Sequence, residues 1–234
     1  MISMSPTIRE RCEGIKERVA RAALRSGRDP SEIRLVAAVK SVPVGRILEA
    51  VEAGVEMLGE NYVQEAQRLR EQIEKPVQWH MIGHLQSNKA RQAVRLFDVI
   101  ETVDREKIVK ELQRSAHLEG KRLEVLVQVD LAGEVTKSGA KADQVLELIE
   151  SVKACENLRC AGLMTLPPVF DDPEGARPVF SGLRELRDRL QPLVPSGVEL
   201  KELSMGMSGD FEVAVEEGAS LVRIGTALFG ARNP

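Results

Sequence analysis

From Thr7 to about Arg25, the residues Ile8, Ile15, Val19 and Ala22 or Ala23 recur at intervals of three to four, the spacing of an amphipathic helix with one buried stripe. Gly27 and Pro30 end it. Beyond that point, short apolar or β-branched runs alternate with longer segments of helical period. The runs predict eight strands, near 34–40, 55–60, 77–83, 98–103, 123–130, 158–165, 199–205 and 221–226. Between them, helices are predicted over Val44 to Ala53, Tyr62 to Ile73, Arg105 to Leu118, Ala142 to Ala154 and Glu174 to Leu190. Continuous apolar strands, each followed by a helix, predict a parallel sheet buried on both faces. Eight such units in 234 residues predict an α/β fold of the closed (β/α)8 TIM type with an extra N-terminal helix. An open doubly wound sheet is the alternative. It would carry a Gly-rich fingerprint after its first strand, where this chain has Lys40-Ser41-Val42-Pro43. Linkers are scarce: Pro167-Pro168-Val169-Phe170-Asp171-Asp172-Pro173 reads either as an ordinary Pro-rich turn or as a lid on the rim of the barrel.

Composition narrows the class without changing the fold. Hydrophobic residues make up 43% and charged residues 29%, the balance of a soluble globular protein rather than a disordered one. The net charge of −3 and the lack of long like-charge blocks give no reason to expect a nucleic-acid partner. The three cysteines, Cys12, Cys155 and Cys160, contain no Cys-x-x-Cys pair, which suggests neither a disulfide framework nor a zinc knuckle and fits a cytoplasmic location. Arg9, Arg11, Lys16 and Arg18 are interleaved with Glu10, Glu13 and Glu17, and no apolar signal core follows. Nowhere do about eighteen apolar residues run together, so no membrane span is expected.

In a barrel, residues at the C-terminal strand ends meet at one mouth. Lys40 closes the run Leu35-Val36-Ala37-Ala38-Val39-Lys40. Its flanks Val39 and Val42 would partly strip water from the ammonium and lower its pKa, leaving an amine able to hold an aldehyde as a Schiff base. A strand-end lysine also commonly leads its head into water, and the residue alone does not choose between the two. Ser204-Met205-Gly206-Met207-Ser208-Gly209, ahead of a short predicted helix from about Asp210 to Glu217, and Gly225-Thr226 supply hydroxyls and glycines after strands seven and eight. Barrels often bind phosphate there, although each segment also reads as a tight turn with a serine cap. Arg223 and Gly225 share parity and should face one side of the sheet. A guanidinium buried there needs a partner, either an aspartate or a ligand acceptor. If the ligand is pyridoxal phosphate, Arg223 would donate to the pyridine nitrogen and keep it unprotonated, which weakens the ring as an electron sink but leaves imine formation untouched. His80 and His84 are four apart but lie in a strand-like segment without the glutamate of a metalloprotease helix, so no metal site is expected. No Gly-x-Ser-x-Gly elbow supports an acyl-transfer serine.

Six blocks of the chain resemble the pyridoxal phosphate homeostasis protein family, the YggS/PROSC-like group. They are Leu35 to Lys40, Gly59-Glu60-Asn61-Tyr62-Val63-Gln64-Glu65, Trp79-His80-Met81-Ile82-Gly83-His84-Leu85-Gln86-Ser87-Asn88-Lys89, Gly162-Leu163-Met164-Thr165, Leu203-Ser204-Met205-Gly206-Met207-Ser208 and Val222-Arg223-Ile224-Gly225-Thr226. They span nearly the whole chain. The resemblance implies a single barrel domain over 1–234, similar to the N-terminal domain of alanine racemase, with pyridoxal 5'-phosphate joined to Lys40. It implies that Ser204, Met205, Gly206, Gly225 and Thr226 hold the phosphate, that Arg223 faces the pyridine nitrogen, that Asn61 lies near the ring and that Lys137 takes part in cofactor exchange. Asp130 departs from the family's Gln-Val-Asn pattern. It adds a negative charge near the mouth but spares every contact just named.

Two functions of different class fit these residues. One is a carrier that holds the cofactor as a reversible Schiff base for supply to apo-enzymes. The other is an amino-acid racemase or a Schiff-base aldolase. By the resemblance, racemases of this fold take a tyrosine base from a second domain of a partner chain, whereas this chain ends at Pro234, soon after the eighth strand. Tyr62 is the sole tyrosine and begins a predicted helix, and no clear second acid–base group stands beside Lys40. Micromolar retention asks for only about −8 kcal/mol, within reach of a phosphate cradle and an imine. The expectation is therefore a carrier without strong turnover, and a monomer.

Overall fold

The computed structural model describes residues 6–133 and 138–231. Strands β1 (Arg34–Ala38), β2 (Met57–Glu60), β3 (Gln78–Met81), β4 (Val99–Val103), β5 (Leu123–Gln128), β6 (Leu158–Met164), β7 (Glu202–Ser204) and β8 (Leu221–Ile224) pair in sequence order, all parallel. β8 returns to β1 with Val36 opposite Arg223, which closes the barrel. Helices α2 (Val44–Glu52), α3 (Val63–Arg70), α4 (Ala90–Leu96), α5 (Glu106–Leu118), α6 (Val145–Lys153), α7 (Arg177–Leu190), α8 (Phe211–Glu216) and α9 (Thr226–Phe229) follow the strands in turn. Among the described residues no helix is long and apolar enough to cross a membrane.

The extra N-terminal helix, α1 (Ile8–Arg25), starts on a capping box. Thr7 Oγ1 accepts from the Glu10 N–H at 3.2 Å, and Glu10 Oε2 accepts from the Thr7 N–H at 2.7 Å. Its stripe of Ile8, Cys12, Ile15, Val19, Ala22 and Ala23 is buried, and the helix packs on α2, α8 and α9. Arg18 pairs with Glu212 of α8 at 2.8 Å. The predicted stripe is therefore the seam that ties α1 to the last two helices of the barrel.

The strands read as continuous apolar runs because both of their faces are covered. One face meets the helices. The other fills the barrel with Val36, Met57, Ile82, Leu126, Ala161, Met164 and Leu221. Strand pairing carries polar residues to the same inner face: His80 lies opposite Gly59, Ser204 opposite Met164 and Arg223 opposite Val36. Gly59 keeps the interior passable, since a Cβ there would stand 2.8 Å from the side chains of both Val36 and Ile82.

The expected strands run too long at their mouth ends. The first stops at Ala38, two residues before Lys40, and the eighth at Ile224, where Gly225 turns the chain into α9. The seventh is confined to Glu202–Ser204. Helix α4 escapes a periodicity reading because its buried stripe is only Ala90, Ala93 and Val94, entered through the polar 3-10 turn Ser87–Lys89.

Gly206, just past β7, has φ +90°, and a Cβ there would lie 2.5 Å from the Ala214 Cβ. Gly206→Ala is expected to destabilise the fold by about 2–4 kcal/mol through left-handed strain and overpacking. Gly209→Ala has nothing within 4 Å of the new methyl and should be near neutral. Urea unfolding of the two variants checks this, and equal midpoints would contradict it.

Candidate functional site

Lys40 stands on a turn held to β2 by the Val39 N–H, which donates to the Gly59 carbonyl at 2.9 Å. The Val42 N–H closes the turn on the Val39 carbonyl, also at 2.9 Å, and Ser41 takes φ +59°, a left-handed conformation rarely used by a residue with a side chain. The half-buried Lys40 reaches over Tyr62, with Nζ 5.1 Å from the ring centroid, a cation–π distance. Lys40, Ser41 and Arg46 line a cavity of about 500 Å³. Beside it lies a second cavity of about 310 Å³, lined by Phe170, Met207, Ser208 and Arg223. Ala38, Gly225 and Thr226 form walls of both. Arg223 and Gly225 thus share one cavity, as their parity predicts. Val169, Phe170 and Pro173, from the Pro-rich loop, form the outer wall of the smaller cavity.

The loop between β7 and α8 is folded by its own carboxylate. The Met207 N–H donates to Asp210 Oδ1 at 2.6 Å, and the Phe211 N–H donates to the Met207 carbonyl at 2.9 Å. Burial pushes the Asp210 carboxyl up, against the Met207 N–H and the Arg223 charge. This fold turns Ser208 toward β8, where its Oγ accepts from the N–H groups of Gly225 at 3.2 Å and Ala227 at 3.1 Å. The two amides bind the Ser208 oxygen and leave its hydroxyl proton as a donor at the cavity wall, which suits an anionic oxygen. The residues brought there are Met207, Ser208 and Gly209, not Ser204, Met205 and Gly206 as the resemblance implied. Those three lie below the cavity: Ser204 and Met205 are fully buried, the Met205 N–H donates to the Leu221 carbonyl, and the Gly206 carbonyl accepts from the Arg223 N–H.

Beneath the smaller cavity, Arg223 is only 3% exposed. Its Nη2 donates to the Thr165 carbonyl at 2.8 Å and its Nη1 to Ser204 Oγ at 2.5 Å. Ser204 Oγ donates in turn to Glu101 Oε2 at 2.5 Å, and Glu101 Oε1 lies 2.6 Å from His80 Nδ1. Burial raises the Glu101 carboxyl, but the His80 hydrogen bond, the His80 and Arg223 charges and the Ser204 hydroxyl outweigh it, so the net shift is downward and the group is an anion. Burial pushes the Arg223 guanidinium down, against Glu101 and Asp210. The expected partner of Arg223 was an aspartate or a ligand; the structure supplies a glutamate reached through a serine. Glu101 was legible as a charge inside the apolar run Val99-Ile100-Glu101-Thr102-Val103, and His80 as a residue on the inward parity of β3.

Asn61 lines neither cavity. It follows β2, packed so closely under the loop after β3 that a Cβ on Gly83 would meet its backbone carbonyl. Asp130 is also away from both cavities, with Oδ1 accepting from the N–H groups of Ala132 at 3.1 Å and Gly133 at 3.0 Å, so its charge is spent on a turn. Lys137 lies outside the described residues. Glu60 is fully buried at the end of β2, with Oε2 accepting from the Asn61 and Tyr62 N–H groups and Oε1 unpartnered among the described residues. Burial and the neighbouring Glu65 raise its carboxyl to about 7.

The chain belongs to the family described as alanine racemase, N-terminal domain, whose family model matches residues 13–233. Within it, relatives named pyridoxal phosphate homeostasis protein align along nearly their full length. One from Aquifex aeolicus is 42% identical over 225 residues, covering 96% of this chain and 98% of the relative. One from Escherichia coli K12 is 39% identical over 223 residues, 94% of each chain. The solved structure of PipY from Synechococcus elongatus with PLP bound is 36% identical, with a TM-score of 0.81 over 92% of this chain and all of that one. Alanine racemase from Clostridium difficile shares the fold at 16% identity and a TM-score of 0.73; this chain covers 57% of it.

The raised Glu60 carboxyl has a sign that can be measured. The folded state holds its proton up to a higher pH than the unfolded state does, so Glu60 favours folding fully below the ordinary carboxylate range. That advantage is lost as pH rises toward 7, at up to about 1.4 kcal/mol per pH unit. Glu60→Gln should remove this loss, so that the variant gains stability relative to wild type between pH 5 and pH 8 in urea unfolding. A constant difference across that range would contradict the assignment.

Proposed function

We propose that this chain holds pyridoxal 5'-phosphate for intracellular vitamin B6 homeostasis, keeping it bound reversibly for supply to apo-enzymes. The observation that carries the reading is the convergence on two adjoining cavities of a strand-end amine, a serine-and-amide cradle and a buried guanidinium. The names of the full-length relatives and the PLP-bound PipY structure support it.

Lys40 supplies the amine, with its aliphatic stem in the larger cavity and its head over Tyr62. Ser208, Gly225 and Thr226 face the phosphate, with the Ser208 hydroxyl, oriented by the amides of Gly225 and Ala227, as a donor. Arg223 presents its guanidinium to the ring nitrogen from below. When bound, the cofactor supplies an aldehyde carbon that a lysine amine can link reversibly as a Schiff base. Ser204, Met205 and Gly206 act beneath that contact surface, Ser204 by holding Arg223 and Gly206 by giving the loop its left-handed turn. Asn61 sets the edge of the mouth beside Tyr62.

The carrier works as one domain over 1–234, a cytoplasmic monomer that meets PLP-dependent apo-enzymes and carries out no turnover of its own. Arg223 in place of an acidic group gives the ring nitrogen no proton, which weakens the carbanion chemistry a racemase or aldolase would need. Tyr62 packs its ring against Lys40, a contact that suits covering the amine rather than supplying an opposed base.

Purified protein should take up pyridoxal phosphate and become yellow, and Lys40→Ala should lose the covalent absorption band. Ser208→Ala should retain the band but bind roughly tenfold more weakly, as expected for one lost hydrogen bond to a charged group. Mixed with a PLP-dependent apo-enzyme, the loaded protein should restore activity while racemising no common amino acid. A colourless wild type would sink the reading, and racemisation at enzyme-like rates would replace it with a catalytic one.

A further inference from the structure

The cluster under the smaller cavity has a fixed direction of hydrogen-bond donation. Arginine only donates, so when Arg223 Nη1 gives a proton to Ser204 Oγ at 2.5 Å, the serine hydroxyl is free to turn its own proton to Glu101 Oε2 at 2.5 Å. Glu101 is ionised and accepts at both oxygens, so the proton between Oε1 and His80, 2.6 Å apart, belongs to His80 Nδ1. Among the described residues, His80 Nε2 is buried without a partner. The cluster therefore ties one guanidinium to one carboxylate through a serine hydroxyl, with an imidazole behind the carboxylate. The Ser204 hydroxyl proton and the His80 Nδ1 proton both point to Glu101.

Resting on the cofactor reading above, we propose that Glu101, acting through Ser204 and backed by His80, is a positioning residue for Arg223. It sets where the guanidinium stands under the ring nitrogen and offsets its charge from behind. Both terminal nitrogens of Arg223 are engaged, one by Ser204 of β7 and one by the Thr165 carbonyl after β6, which fixes the plane of the group. Glu101 Oε2 lies 3.9 Å from Arg223 Nη1. Asp210, on the loop before α8, is the other carboxylate whose charge acts on Arg223. Arg223 is thereby held from behind by a chain that runs through Ser204 to Glu101.

The test uses the full chain, with pyridoxal phosphate as the probe. Glu101→Gln should release it roughly tenfold faster, the scale of one hydrogen bond made by a charged group. The pH midpoint of the visible absorption change should fall by about one unit, because an uncompensated guanidinium disfavours a second positive charge on the nearby imine. Glu101→Asp, which keeps the charge, should restore the midpoint but not the full retention. Ser204→Ala keeps both charges and removes the link, so release should speed up while the midpoint holds; this variant carries the test if Glu101→Gln does not fold. In the unloaded wild type, nitrogen-15 NMR should show a proton on His80 Nδ1, hydrogen-bonded to Glu101. A His80 Nδ1 that carries no proton overturns the proposal, as does Glu101→Gln with wild-type release and midpoint. A wild type that takes up no cofactor overturns the underlying reading, and the His80 signal reports on the network separately.

Discussion

A guanidinium buried at the centre of a closed barrel is the constraint from which the rest of the site follows. Arg223 cannot lose its charge, and its burial is tolerable only because Ser204, the Thr165 carbonyl and Glu101 surround it. Those partners come from β4, β7 and the end of β6, and His80 of β3 completes the set. No short segment could bring them together. Closure of the sheet is what pairs the charges, and removing one partner from such a buried pair costs about 3–5 kcal/mol. The cluster adds little net stability by itself, but it ties the register of five strands to one polar arrangement.

Around that fixed point the mouth is built from strained and tightly packed backbone. Ser41 at φ +59° and Gly206 at φ +90° hold the two loops that bring Lys40 and Ser208 to opposite sides of Gly225 and Thr226. Such conformations persist only where the surroundings over-determine them. Here the Val39 amide bound to Gly59 and the Asp210 carboxylate bound to Met207 do so. The amine, the anion cradle and the guanidinium are thus presented by rigid ends of strands, which suits holding a ligand in one pose.

The barrel was legible in the sequence because parallel strands covered on both faces leave continuous apolar runs, and helices with one buried stripe leave a clear period. Lys40, Arg223, Gly225 and Thr226 were legible because strand ends and parity place them at one mouth. The loop after β7 was read as the whole run Ser204 to Gly209, of which the resemblance singled out the first three residues and the cavity wall holds the last three: a glycine–serine string shows that a turn exists, but not which hydroxyl the turn presents. That depended on Asp210 reaching back to Met207, a contact with no periodic signature. The role of Ser204 depended on Glu101, whose place in an apolar run marks a buried charge but not its distant partner.

The central claim is that Lys40 is the covalent holding point of a cofactor seated over Arg223. The most direct test loads the wild-type chain with pyridoxal phosphate, reduces it with borohydride and maps the modified peptide by mass spectrometry. The account predicts one stable phosphopyridoxyl group per chain, on Lys40. A reduced protein without that group, or with it mainly on another lysine, would contradict the account.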